Sequence, residues 1–204
     1  MSGDPAPIVV ALHGFTRRPV DLQKLADACA GRGLATLRPG LGSFWWPSSM
    51  NNAGYLSRLA LHYSDRLGNR PCVVVGHSAG TAAGSWLGAE LRRRGVDVRG
   101  FVYVDGNESP TRLLARAWPT ICDLPVRAVC APPSRCNRQG QLASWLEGQS
   151  GDIVIDVIEG SGHGDIEGDT APVYRWACGN DSAQDVRTLV MDQTLAYVEE
   201  VVGR

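Results

Sequence analysis

Two short segments carry side chains that can do chemistry together. The first reads Gly76-His77-Ser78-Ala79-Gly80 and separates a continuously apolar run from an Ala- and Leu-rich one. A Gly-x-Ser-x-Gly run between a strand and a helix is the pattern of a nucleophile elbow, a turn that lifts the serine oxygen above the sheet. The two glycines have a steric task there, because strand and helix backbones approach closely. A serine hydroxyl attacks a carbonyl only once a base takes its proton, and four histidines are available for this. His163, in the loop Gly160-Ser161-Gly162-His163-Gly164, is the candidate. His13 and His77 belong to two turns, which they are expected to shape while bordering the substrate; His62 falls inside a helical stretch.

An attacked carbonyl also needs donors for its developing negative charge. The Ala79 amide, at the start of a helix, is one expected donor. Phe15 is expected to supply the second, because Gly14 lets the chain curl after the first strand and turn the next amide toward Ser78.

The elements that must hold these groups follow from the hydrophobic pattern. Short β-branched runs alternate with longer amphipathic stretches, as in βα units around a parallel sheet. Strands are expected at 7–12, 34–38, 72–75, 101–104, 126–130 and 153–158. Helices are expected at 20–32, 53–67, 81–94, 110–117, 139–147 and 183–202. The fold class is therefore α/β: a mostly parallel sheet of about six strands with helices on both faces, in one domain spanning 1–204.

With the His13-Gly14 turn, the Pro39-Gly40-Leu41-Gly42-Ser43 turn, the Gly76–Gly80 elbow and Gly162-His163 after the last strand, the sequence resembles the α/β-hydrolase fold superfamily along almost its whole length. The resemblance implies a triad in chain order serine, acid, histidine. The loop where relatives commonly carry the acid reads Ala131-Pro132-Pro133-Ser134-Arg135-Cys136-Asn137 and has no carboxylate. The preceding strand ends in Asp105-Gly106-Asn107-Glu108, the position used by a minority of relatives. Asp105 is the expected acid, with Glu108 in reserve and Asn137 as an uncharged means of orienting the imidazole. Asp165 and Glu167 are expected to face solvent or substrate.

Only residues 105–124 separate the fourth and fifth strands, where larger relatives insert a cap, so a capless, open site is expected. Phe44, Trp45 and Trp46, in the long turn after the second strand, are expected to wall an acyl pocket. Met50, Trp118 and Trp176 are further candidates for its walls.

These readings imply a serine hydrolase of carboxylic esters or thioesters, acting through a Ser78 acyl-enzyme with His163 as base. The substrate is a small acyl molecule, free or carrier-bound. Non-hydrolytic use of the same groups (acyl transfer, lactonisation or elimination) is the rival within enzymes; a small-molecule binding module is the rival outside them.

The 204 residues, 44% hydrophobic, suffice for a core without a disulfide or metal scaffold. Twenty basic against 21 acidic side chains, with no basic run, argue against nucleic acid or an anionic membrane as partner. No cofactor or metal is expected, and serine at the elbow disfavours the alkyl-enzyme chemistry of relatives with aspartate there. Six cysteines without a C-x-x-C pair are expected to be reduced in a cytoplasmic protein, although Cys122, Cys130, Cys136 and Cys178 leave room for a bridge.

Overall fold

The computed structural model describes residues 5–42, 49–167, 178 and 182–203. Six strands form one sheet: β1 (Ile8–Leu12), β2 (Ala35–Leu37), β3 (Cys72–His77), β4 (Val98–Val104), β5 (Val126–Cys130) and β6 (Ile153–Val157). Their order is β2-β1-β3-β4-β5-β6, and every neighbouring pair is parallel. The helices are α1 (Gln23–Gly31), α2 (Ala53–Leu67), α3 (Gly80–Arg93), α4 (Leu113–Ile121), α5 (Gln141–Glu147) and α6 (Gln184–Val202).

Alternation along the buried strands sends neighbouring side chains to opposite faces. Val10, Leu12, Val74, Phe101 and Tyr103 join α2, α3, α4 and α5 in one core layer. Val9, Ala11, Val73, Val75 and Val102 join α1 and α6 in the other. The result is a three-layer α/β/α sandwich, with β3 and β4 covered on both faces. Because all strands run the same way, their C-terminal ends share one edge, where ligands bind in open α/β sheets.

Several elements differ in their bounds from the sequence expectation; β4, for one, begins at Val98 rather than at residue 101. The first helical stretch begins as a 3-10 turn, Pro19–Leu22, before α1. α4 starts later than Pro110 and continues through Pro119 to Ile121. Proline removes one backbone donor there, but Leu113, Leu114, Ala117, Trp118 and Ile121 are buried, and that apolar face holds the helix together. The 105–125 connection contains α4 and no other helix or strand. No described helix is long and apolar enough to cross a membrane.

The cysteines depart from expectation. Cys136 and Cys178 form a disulfide, while Cys29, Cys72, Cys122 and Cys130 are free thiols. The loop after β5 meets the segment after His163, bringing two Cα atoms 42 positions apart within 5.5 Å.

Candidate active site

Ser78 stands between β3 and α3 with φ of 54°, a left-handed conformation that strains a non-glycine residue. Three backbone bonds hold it: Ser78 N–H donates to the Val104 carbonyl (3.1 Å), and its own carbonyl accepts from Thr81 (3.0 Å) and Asn107 (2.9 Å). The elbow requires its glycines. A Cβ on Gly76 would lie 2.6 Å from the Thr81 Cα, and one on Gly80 would strike the carbonyls of Leu12 and His13.

Ser78, His163 and Asp105 meet at the C-terminal edge of the sheet. His163 Nε2 lies 2.9 Å from Ser78 Oγ, and its Nδ1 lies 2.5 Å from Asp105 Oδ2. All three are buried. The second Asp105 oxygen accepts from the Ala131 amide and the Asn137 side chain, each at 3.0 Å. Asn137 therefore orients the carboxylate, where the sequence reading had it orienting the imidazole. Glu108 is committed elsewhere: it accepts from the amides of Ser109, Leu114 and Ala115, compensating unpaired donors at the start of α4.

On the other side of Ser78, Ala79 opens α3, where its amide has no acceptor within the helix. The turn after β1 comes very close, since a Cβ on Gly14 would lie 3.0 Å from the Ser78 Cβ. Phe15 and Ala79 both line an open cleft of about 470 Å³ that also reaches Ser78 and His163. Asn107, Asn51, Cys136 and Arg138 form further parts of its wall.

His13 and His77, expected at the substrate border, are buried behind the cleft. The His13 ring donates from Nδ1 to the Gly14 carbonyl (2.9 Å) and accepts at Nε2 from the Leu41 amide (3.2 Å), the pattern of a neutral imidazole. Burial pushes its pKa down, in keeping with that form. His13 thus ties the Gly14 turn to the turn after β2. His77 contacts the His163 carbonyl and Glu167.

Asp165 and Glu167 are also buried, against expectation. Asp165 accepts from the Gly162 amide (2.7 Å), folding the His163 loop on itself, and Glu167 pairs with Arg17 at 2.5 Å. Met50 is in the core, and Trp118 packs edge-on against Trp145. Phe44, Trp45, Trp46 and Trp176 lie outside the described residues.

Asn107 escaped the sequence reading. Its Nδ2 donates to the Cys136 carbonyl at 3.0 Å and stands 3.4 Å from Ser78 Oγ. Its place two residues after Asp105 was the available signal. Among the described residues, no group of three His, Cys, Asp or Glu could hold a metal ion.

No family model and no curated protein matches the chain. Solved structures do. Est1E from Butyrivibrio proteoclasticus has a TM-score of 0.69 at 12% identity, covering 99% of this chain and 90% of that one. A Xanthomonas campestris pv. campestris protein assigned to the alpha/beta hydrolase superfamily scores 0.61 at 13% identity, covering 96% and 99%. The RedJ thioesterase of the prodiginine biosynthetic pathway in Streptomyces coelicolor scores 0.58 at 13% identity, covering 94% and 91%.

Proposed function

Given that the chain has the α/β-hydrolase fold, we propose that it is a serine hydrolase cleaving a carboxylic ester or thioester. The observation that carries this reading is the continuous contact from Ser78 Oγ through the His163 ring to Asp105, opening onto a cleft. Similarity to the RedJ thioesterase supports it.

With its Nδ1–H donated to Asp105, the His163 ring presents a lone pair at Nε2 to the Ser78 hydroxyl. Nε2 takes that proton as Oγ attacks the acyl carbonyl carbon. Asp105 remains ionised and stabilises the imidazolium that forms. The amides of Ala79 and Phe15 would receive the oxyanion. His163 then gives the proton to the departing alkoxide or thiolate, leaving the acyl group on Ser78. A water molecule, deprotonated by the same Nε2, releases the acid and restores the hydroxyl.

The substrate is a small acyl molecule entering from solvent, free or attached to a carrier. A capless cleft admits either. The Cys136–Cys178 bridge favours an oxidising compartment over the cytoplasm expected from the sequence.

A fluorophosphonate probe tests the reading. The folded protein is expected to become covalently labelled, and Ser78→Ala to abolish labelling. Release assays on short acyl, long acyl and thioester substrates should lose about 10⁴-fold or more in the same variant. A folded protein that is neither labelled nor active on any of them is a binding module.

A further inference from the structure

Behind the His163 ring lies a cluster that no step above uses. His77 is 1% exposed, its ring centroid 5.1 Å from that of His163. Nε2 lies 2.7 Å from the backbone carbonyl of His163, and Nδ1 lies 2.9 Å from Glu167 Oε1. The other Glu167 oxygen faces Arg17 at 2.5 Å. A carbonyl and a carboxylate can only accept. The Nδ1 contact is an ion-pair approach rather than an aligned hydrogen bond, and a ring with a carbonyl at one nitrogen and a carboxylate beside the other is matched in charge by an imidazolium, with a proton on each. His13, one strand away, faces one acceptor and one donor, and there the neutral form fits.

We propose that His77 is a positioning residue held as an imidazolium by the Glu167–Arg17 pair, its Nε2–H fixing the His163 carbonyl and hence the placement of the His163 ring at Ser78. The inference rests on the reading of His163 as the base. It concerns a side chain that touches no substrate.

The surrounding charges agree. Burial is the largest single influence and works against a charge on His77, but Glu167, the His163 carbonyl and Asp105 together outweigh it, and the pKa rises above the ordinary 6.5. Burial would likewise raise the Glu167 carboxyl, yet His77 and Arg17 hold it below its usual range. The titratable and charged groups around the ring are Glu167 from the 3-10 turn after His163, Arg17 behind it, His13 at the end of β1, and Asp105 with His163 in front.

The sign of the pH effect follows. A raised value in the folded state means the clamp is complete below about pH 6.5 and is lost as pH rises through that raised value. The deprotonated ring cannot satisfy both acceptors, so the rate acquires an alkaline limb.

Three measurements test this. In the wild-type protein, ¹⁵N shifts of the His77 ring should report two protons at pH 7.5; a neutral ring overturns the proposal whatever the activity. In Glu167→Gln, the amide N–H can donate to a neutral Nδ1 while Nε2–H stays on the His163 carbonyl. The fluorophosphonate labelling rate should then fall a few-fold at pH 7 and lose its alkaline limb; an unchanged limb overturns the proposal. His77→Leu should lower kcat for an acyl ester by about tenfold or more at unchanged KM, and His77→Gln, which retains a donor, should recover part of it. Equal rates in the two variants, or a Leu variant as fast as wild type, count against the clamp. If the folded wild-type protein shows no Ser78-dependent labelling at any pH, the hydrolase reading fails. The ring shifts then decide the charge on His77 alone: two protons support the ion cluster, one overturns it.

Discussion

The sheet carries a buried arginine cluster at each end, and the two are built differently. At the N-terminal end, Arg127 on β5 is 1% exposed and pairs with Asp152 and Glu200, whose carboxylates are 44% and 37% exposed. Water screens those carboxylates. At the C-terminal end, Arg17, Glu167 and His77 are 10%, 2% and 1% exposed, and one member is a histidine. Enclosure without solvent screening makes the protonation of that histidine count. The far cluster fastens α6 to β5, whereas the near one sits against the loop presenting His163. Substitutions at the near end should therefore act on rate, and those at the far end on stability.

The largest test of that contrast is Asp105→Asn. The amide keeps the shape but cannot hold the His163 ring in its Nδ1–H form or stabilise an imidazolium. Turnover of an acyl ester should fall by about 10⁴-fold, with the melting temperature shifted by only a few degrees. Asn137→Ala removes one of the two donors to Asp105 Oδ1 and should cost about 10- to 100-fold. A reversed ranking in one assay would move the functional anchor of His163 to the 131–140 loop.

The near end was legible where its parts are contiguous in sequence. Gly76, Ser78 and Gly80 have fixed spacing because a single turn imposes their steric demands, and the apolar run before them could only be a buried strand. Asp105 was reached because it ends a strand at the right edge. Glu167 was misread as solvent- or substrate-facing because its partners lie 150 and 90 positions earlier, and no local pattern announces a charge neutralised by folding. Glu108 and Asn137 stayed open as alternatives to Asp105 for a related reason. Each has the chemistry of a triad member, but nearby backbone amides claim the first and the Asp105 carboxylate the second.

The disulfide sharpens the contrast from another side. Cys136 lines the cleft, and its bond to Cys178 closes a loop of 42 residues that contains His163. Constraining the unfolded chain over that length is worth about 4 kcal/mol. Reduction, or Cys178→Ser, should lower the melting temperature. It should also slow fluorophosphonate labelling by a modest factor, since Cys136 offers its carbonyl to Asn107 beside Ser78. If labelling is slowed as much as in Asp105→Asn, the bridge positions the reacting groups themselves; if it is unaffected, the bridge serves the fold alone.

The smallest rate effects belong at the far end. Arg127→Ala deletes the largest fully buried side chain among the described residues and removes a cation that pairs with Asp152 and Glu200. Because Asp152 and Glu200 already face water, they regain hydration, and the cost should be about 2 kcal/mol, below that of breaking a fully buried pair. Arg127→Met preserves most of the packing volume and removes the charge that burial disfavours, so denaturant midpoints should return close to wild type. In both variants the Ser78 labelling rate of the folded fraction should be unchanged across pH 6–9. A shift of the alkaline limb in either would mean that the two ends communicate through β5 and α6, and the division between a charge cluster that shapes the rate and one that fastens the fold would have to be abandoned.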